Sequence, residues 1–168
     1  MMEQALEGGG LRIVFTRLGD RFAHTIEAFI DERFRSVLSS MEGTADEAWP
    51  PSPPFQQLHF EERPGGVRVA LLVGMAGTSH WSAAVELDPA TGEATFDVAC
   101  RLRSVPMHLG SRYRIHEPSG FVLIPTEGTL GQVPDQAAVF PEKSTVNMPA
   151  TLRWRYVVCQ PKQCGVDP

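Results

Sequence analysis

Thirteen arginines and only two lysines give this chain of 168 residues an unusual set of planar cations. Between Arg101 and His116 there are four arginines and two histidines but no acidic residue. A guanidinium group binds a carboxylate or phosphate through two parallel hydrogen bonds, so clustered arginines indicate recognition of an anion. Six of them form pairs two residues apart in strand-like segments, which places both members of a pair on one strand face. These candidate binding residues are Arg101, Arg103, Arg112, Arg114, Arg153 and Arg155.

The arginine pairs form one cationic face only if their three strands are neighbours in one sheet. Such a face would bind an anionic small molecule or an acidic protein surface. The competing interpretation pairs the arginines across strands with acids such as Asp97, Glu86 or Glu117, and the arginines are then structural. Parity along a strand does not fix strand order, so both interpretations stay open.

A second group of residues has the types that catalysis uses. His59 and Glu61 alternate with apolar neighbours, so an imidazole and a carboxylate would share one strand face. His80 and Ser82 follow a glycine-containing segment and are also expected on one outward face. No third metal ligand, nucleophile elbow or phosphate-binding glycine loop accompanies them. A small hydrolase or metal-dependent enzyme built from these four residues is therefore the alternative, with no catalytic residue, metal or cofactor assigned.

The three cysteines are too few for a disulfide framework and are not spaced as in zinc sites. Cys159 and Cys164 flank Pro161 and could close a small disulfide or supply two thiolate ligands. Cys100 has the inward parity of its strand and is expected in the core. This cysteine usage favours a reducing, cytoplasmic setting.

Composition excludes several classes of protein. Fifteen basic and twenty acidic side chains give a net charge of -5, which argues against general affinity for nucleic acid or an anionic membrane. No segment approaches the roughly 20 apolar residues of a membrane span, and the first residues lack the pattern of a signal peptide. We expect a disordered tail over residues 1–10 and a single β-rich domain over residues 11–168.

Alternation of apolar and polar residues predicts antiparallel strands along most of the domain. The strand from Val67 to Met75 is apolar on both faces and is expected to be central. The clearest hairpin runs from Trp81 to Leu102 around a turn at Asp88–Gly92, with Trp81 and Phe96 buried. Shorter strands are predicted at 112–116, 121–125 and 152–159.

Residues 20–42 match two different elements. Their large apolar side chains recur at helical spacing, which predicts one long amphipathic helix. Turns at Gly19-Asp20 and Asp31–Arg33 would instead join antiparallel strands, and the aromatic and β-branched residues favour this interpretation. We therefore predict a mainly β fold, an antiparallel β-sandwich or partly closed barrel. The alternative is an α+β fold with a helix at 20–42 packed on an antiparallel sheet.

Two segments are expected to be irregular. Four prolines within Pro50–Pro54 impose an extended path, which we interpret as a rigid crossover held by Trp49 and Phe55 in the core. A ligand for a proline-reading module is the alternative. Residues 126–150 are rich in Pro and Gly and are expected to wrap the surface.

The favoured function is a non-catalytic binding module for an anionic ligand or an acidic partner, because no catalytic set is complete. The third possibility is a structural or oligomer-forming protein, in which strand edges and the proline-rich segment meet a second subunit.

Overall fold

The computed structural model describes residues 4–142 and 147–165, and over these ranges the chain forms thirteen strands and one 3-10 turn at Pro118–Gly120. The strands, in chain order, are β1 (Gln4–Gly8), β2 (Leu11–Leu18), β3 (Arg21–Ile30), β4 (Arg33–Ser40), β5 (Gln57–Arg63), β6 (Val67–Ala76), β7 (Ser79–Asp88), β8 (Glu93–Leu102), β9 (Ser111–Ile115), β10 (Val122–Glu127), β11 (Thr129–Val133), β12 (Gln136–Phe140) and β13 (Ala150–Cys159).

The strands form two antiparallel sheets around one hydrophobic core, which confirms the predicted β-sandwich. The seven-stranded sheet has the order β1-β2-β3-β4-β9-β12-β11, and the six-stranded sheet has the order β10-β13-β8-β7-β6-β5. Neither sheet closes into a barrel. Within the described ranges, no helix has the length and apolar character needed to cross a bilayer.

Residues 21–40 form β3 and β4, so the alternative with a helix at 20–42 is wrong. A two-residue turn joins these strands, and its residues Asp31 and Glu32 have φ values of 50° and 62°. Two consecutive left-handed residues are typical of a type I′ turn, whose twist matches that of a hairpin. Inward residues such as Ile26 and Ala28 are fully buried, so strand alternation prevails over the coincident helical spacing.

The N-terminal segment is not a disordered tail over its described part. Residues 4–8 form β1, which pairs with β2 through a turn at Gly9 and Gly10. Both glycines have positive φ, so they make the turn instead of marking the start of the fold. Leu6 is buried in the core and explains why this segment is held in place. Residues 1–3 lie outside the described ranges.

Part of the segment predicted to wrap the surface also forms strands. Residues 129–133 and 136–140 make the β11–β12 hairpin, and β12 extends the seven-stranded sheet by pairing with β9. Ala137 and Val139 on β12 are buried, which is what attaches the hairpin to the core. Residues 143–146 lie outside the described part of the chain.

The proline-rich segment crosses from one sheet to the other, as predicted. It leads from β4 to β5, and Phe55 is buried while Trp49 packs edge-on against Trp81 at 6.3 Å between ring centroids. Gly74 on β6 permits the crossing, because an added Cβ would lie 1.8 Å from the Pro54 carbonyl oxygen. The crossing therefore depends on the rigid prolines and on a glycine at position 74.

Hydrogen-bonded polar side chains join the two sheets through the core. His24 Nε2 on β3 lies 2.8 Å from the Tyr113 hydroxyl on β9, which lies 2.6 Å from the Tyr156 hydroxyl on β13. Burial lowers the pKa of His24 to about 4 and raises the pKa of Tyr156 to about 12, so both are uncharged at neutral pH. Beside them, Trp154 Nε1 donates to Ser111 Oγ at 2.9 Å. These side chains are thus hydrogen-bonded to one another without carrying a charge.

The two candidate thiols at the C-terminal end form a disulfide. Cys159, at the end of β13, is bonded to Cys164, with the Cα atoms 6.1 Å apart. Within the loop that the disulfide closes, Gln160 Nε2 donates to the Phe29 carbonyl at 3.1 Å. Gln163 Nε2 donates to the Gly9 carbonyl in the turn between β1 and β2. Cys100 is buried and free, as predicted, and burial raises the pKa of its thiol to about 12.

Replacing Cys164 with serine is expected to lower the free energy of unfolding by about 2 kcal/mol, because the unfolded chain regains the entropy that a loop of this length removes. Urea unfolding with and without reductant measures the difference. Reductant should bring the wild type to the variant's midpoint and leave the variant unchanged. A wild-type midpoint that does not move after mass spectrometry has verified reduction would contradict the expectation.

Candidate functional site

The six candidate arginines lie on two different sheets. Arg101 lies on β8, and Arg103 directly follows the end of that strand. Arg153 and Arg155 lie on β13, which is next to β8 in the same sheet. Arg112 and Arg114 lie on β9, which belongs to the seven-stranded sheet. The chain crosses between sheets after β8, and the exposed sides of two packed sheets face in opposite directions. The predicted single face of six arginines is therefore wrong as an arrangement.

Strand β13 shows that the structural interpretation holds for one of its arginines. Arg153 Nη2 donates to both carboxylate oxygens of Asp97 at 3.0 and 2.9 Å. Asp97 lies diagonally across on β8, where the register pairs it directly with Arg155. This hydrogen bond raises the pKa of Arg153, and its charge is already matched within the protein.

Arg101 and Arg103 differ from Arg153 in this respect. Over residues 4–142 and 147–165, no carboxylate lies within ion-pair distance of either guanidinium group, and neither donates a hydrogen bond within the protein. Both side chains are exposed. These two charges are therefore available to an anion from outside.

Arg101 lies at the junction of two depressions in the outer surface of the six-stranded sheet. The larger, which we call the Arg101 groove, has a volume of about 370 Å³. It is lined by Gln56, Gln57, Val73, Gly74, Met75, His80, Trp81, Ser82, Ala99, Arg101 and Thr151. The smaller, of about 340 Å³, is lined by Arg101, Arg103, Met148 and Pro149.

The register of the hairpin explains how distant residues meet in the groove. His80 on β7 pairs directly with Arg101 on β8, and Arg101 in turn pairs with Thr151 on β13. Two residues further along the same strands, Ser82 pairs with Ala99 on the same outer face. Both side chains are small, so the floor of the groove is low at this point. An imidazole, a guanidinium and a hydroxyl group are thereby brought to one end of a shallow trough.

The groove wall on β6 is fixed by the crossover segment. Gln56 Nε2 donates to the Met75 carbonyl at 3.0 Å, and Gln56 Oε1 accepts from the Met75 backbone N–H at 3.1 Å. The side-chain amide thus forms both hydrogen bonds that a neighbouring strand would form. This holds β6 in place beside the groove.

The four residues of the enzyme alternative share the same outer face but do not converge. His80 and Ser82 both line the groove, whereas His59 and Glu61 lie on the edge strand β5. Within the described residues, no hydrogen bond joins any two of the four, and no group of three or more His, Cys, Asp or Glu is placed to hold a metal ion. A catalytic pair needs hydrogen-bond reach around a cleft. Among the described residues, these four side chains do not form such a pair.

In the sequence His80 and Arg101 are separate candidates, although the inward positions of Trp81 and Phe96 relate them. The predicted turn at Asp88–Gly92 is one residue too long to give this pairing, since the structure pairs Asp88 with Glu93. Counting back from that pair places His80 opposite Arg101. Thr151 had no such signal, because the position of β13 beside β8 depends on a contact between segments far apart in sequence.

Compared with known proteins, the chain matches no protein-family model, no curated protein and no solved structure.

Proposed function

We propose that this protein is a non-catalytic binding module that takes an anionic ligand in the Arg101 groove. The observation that carries the proposal is the Arg101 guanidinium, which has no ion pair among the described residues and lines both depressions. A guanidinium group presents a rigid fork of donors that matches carboxylate and phosphate oxygens. The bound anion would neutralise a charge that the protein itself leaves unmatched.

Neighbouring groups add donors around the same position. His80 and Thr151 flank Arg101 on the adjacent strands, and Arg103 lines the second depression. A site with guanidinium groups and several further donors suits a small anion, whose oxygens accept several hydrogen bonds at once. An acidic protein surface is the second candidate, and a direct binding comparison separates the two.

We also propose a cellular location for the protein. We retain the cytoplasmic location expected from the cysteine content, although a disulfide such as Cys159–Cys164 persists most readily in oxidising compartments. Mass spectrometry of alkylated protein from cells shows which redox state the pair has. Light scattering measures the oligomeric state of the protein.

Changing Arg101 and Arg103 together to serine is expected to abolish stabilisation by anions. In the wild type, citrate or phosphate at ten times its Kd should add about 1.4 kcal/mol to the free energy of unfolding. For a protein of this length that corresponds to a rise in Tm of about 3 to 6 °C. Thermal unfolding at constant ionic strength measures it, and the double variant should show no rise.

Arg155→Ser is the matched control, because Arg155 is exposed on the same sheet face but lies outside both depressions. It should respond to anions as the wild type does. Equal responses in all three proteins would contradict the proposal and leave the arginines as general surface charge.

A further inference from the structure

Two large apolar side chains are exposed on the wall of the Arg101 groove. Val73 and Met75 on β6 are 47% and 49% exposed, and both line the groove. They lie on the outer face of β6, the strand next to the edge strand β5, where their side chains meet solvent instead of the core. Apolar surface beside an unmatched cation is the combination that an amphipathic ligand covers.

The charged and apolar parts of the groove are separated by a definite distance. Met75 on β6 lies in the same row of the register as Arg101 on β8, with β7 between them, and Val73 lies two residues along β6, beside Ser82. Two strand spacings put Met75 about 10 Å from Arg101, and the step along the strand puts Val73 about 12 Å away. A carbon–carbon bond of about 1.5 Å advances an extended chain by about 1.3 Å, so roughly eight carbons with the carboxylate reach the apolar residues.

The groove floor between these parts is low. Ser82 and Ala99 occupy it, and the larger side chains of Met75, His80 and Arg101 lie beside it. The groove volume of about 370 Å³ is at the small end of the range for ligand sites, roughly 300 to 1,000 Å³. A small molecule with a short chain suits this volume better than a folded protein surface does.

We infer that the ligand is a carboxylate on an unbranched apolar chain, with its head at Arg101 and its chain over Ser82 and Ala99 toward Val73 and Met75. This inference rests on the proposed function, because it assumes that Arg101 binds an anion. It adds the chemical class of the rest of the ligand and its direction in the groove. An inorganic anion alone would leave both apolar side chains uncovered.

The test is a series of linear carboxylates from acetate to decanoate, kept below their micelle concentrations, titrated calorimetrically into the intact protein. Affinity should rise about twofold for each added methylene, half the logarithm of full burial because one side of the chain stays in water. The rise should stop near eight carbons, where the groove ends. Octanamide, which keeps the chain but loses the charge, should bind at least tenfold more weakly than octanoate.

A double variant, Val73→Ser with Met75→Ser, should lose the dependence of affinity on chain length. Ile124→Ser is the control, because Ile124 is an exposed apolar residue of the same sheet on β10, outside the groove. It should keep the full dependence.

The outcomes separate this inference from the proposed function. Anion binding that needs Arg101 but does not vary with chain length would overturn the inference and leave the proposed function standing. Dependence on chain length that survives in the Val73 and Met75 variant would also overturn it. Failure of the wild type to bind any carboxylate, phosphate or citrate would overturn both.

Discussion

Replacing Phe96 with alanine is expected to lower the free energy of unfolding by about 3 to 5 kcal/mol. Phe96 lies on β8 with only 2% of its surface exposed. Its ring stacks on Tyr156 at 4.9 Å and on His24 at 5.5 Å between centroids, so it contacts the two end residues of the polar connection between the sheets. Truncation removes these contacts and leaves a cavity that packed neighbours cannot fill.

Urea unfolding followed by circular dichroism measures this loss. Thr95→Ala on the same strand is the matched control, because Thr95 points to the outer face and its truncation should change the free energy by about 0.5 kcal/mol or less. A loss below about 1 kcal/mol for the Phe96 variant would mean that the inner and outer faces of this hairpin are reversed.

Acidification from pH 7 to pH 4 is expected to cost about 3 kcal/mol of stability through His24 alone. In the folded protein burial lowers the pKa of His24 to about 4, from an ordinary value of 6.5. Between these two values the unfolded chain takes up a proton that the folded chain does not, so stability falls as the pH falls. Below pH 4 both states are protonated, and this residue causes no further loss.

His24→Gln isolates that contribution, because glutamine can still form a hydrogen bond with Tyr113 but gains no proton. The free energies of unfolding of the variant and the wild type should converge or cross as the pH falls from 6.5 to 4. Glu42 acts in the opposite direction, since burial raises its pKa, but it is present in both proteins. Curves that stay parallel over this range would show that His24 is not buried in its neutral form.

The strands themselves were largely predictable, because the information lies in short stretches of sequence. Alternation and turn residues located β6, β7 and β8, and the aromatic and β-branched residues of 20–42 favoured strands over a helix. The prediction failed where a strand depends on a distant partner. β1 and the β11–β12 hairpin are short, and they are held in the sheet by contacts with distant strands that bury Leu6, Ala137 and Val139.

The sequence predicted some features of the candidate site and not others, for the same reason. The outward orientation of His80, Ser82 and Arg101 followed from strand parity and is confirmed. The proposed convergence of the arginines required strand order, and the transfer of β9 to the other sheet separated Arg112 and Arg114 from the rest. Parity reports which face a side chain occupies within a sheet, but it carries no information about which sheet a strand joins.

Backbone NMR spectra recorded during titration with octanoate locate the ligand on the protein. We expect saturable shifts of the amides of His80, Ser82, Ala99 and Arg101, with Arg112 and Arg114 on the opposite sheet unchanged. Loss of these shifts in the Arg101 and Arg103 double variant is expected as well. Saturable shifts centred on β9, or shifts spread over both sheets without saturation, would contradict binding in the Arg101 groove.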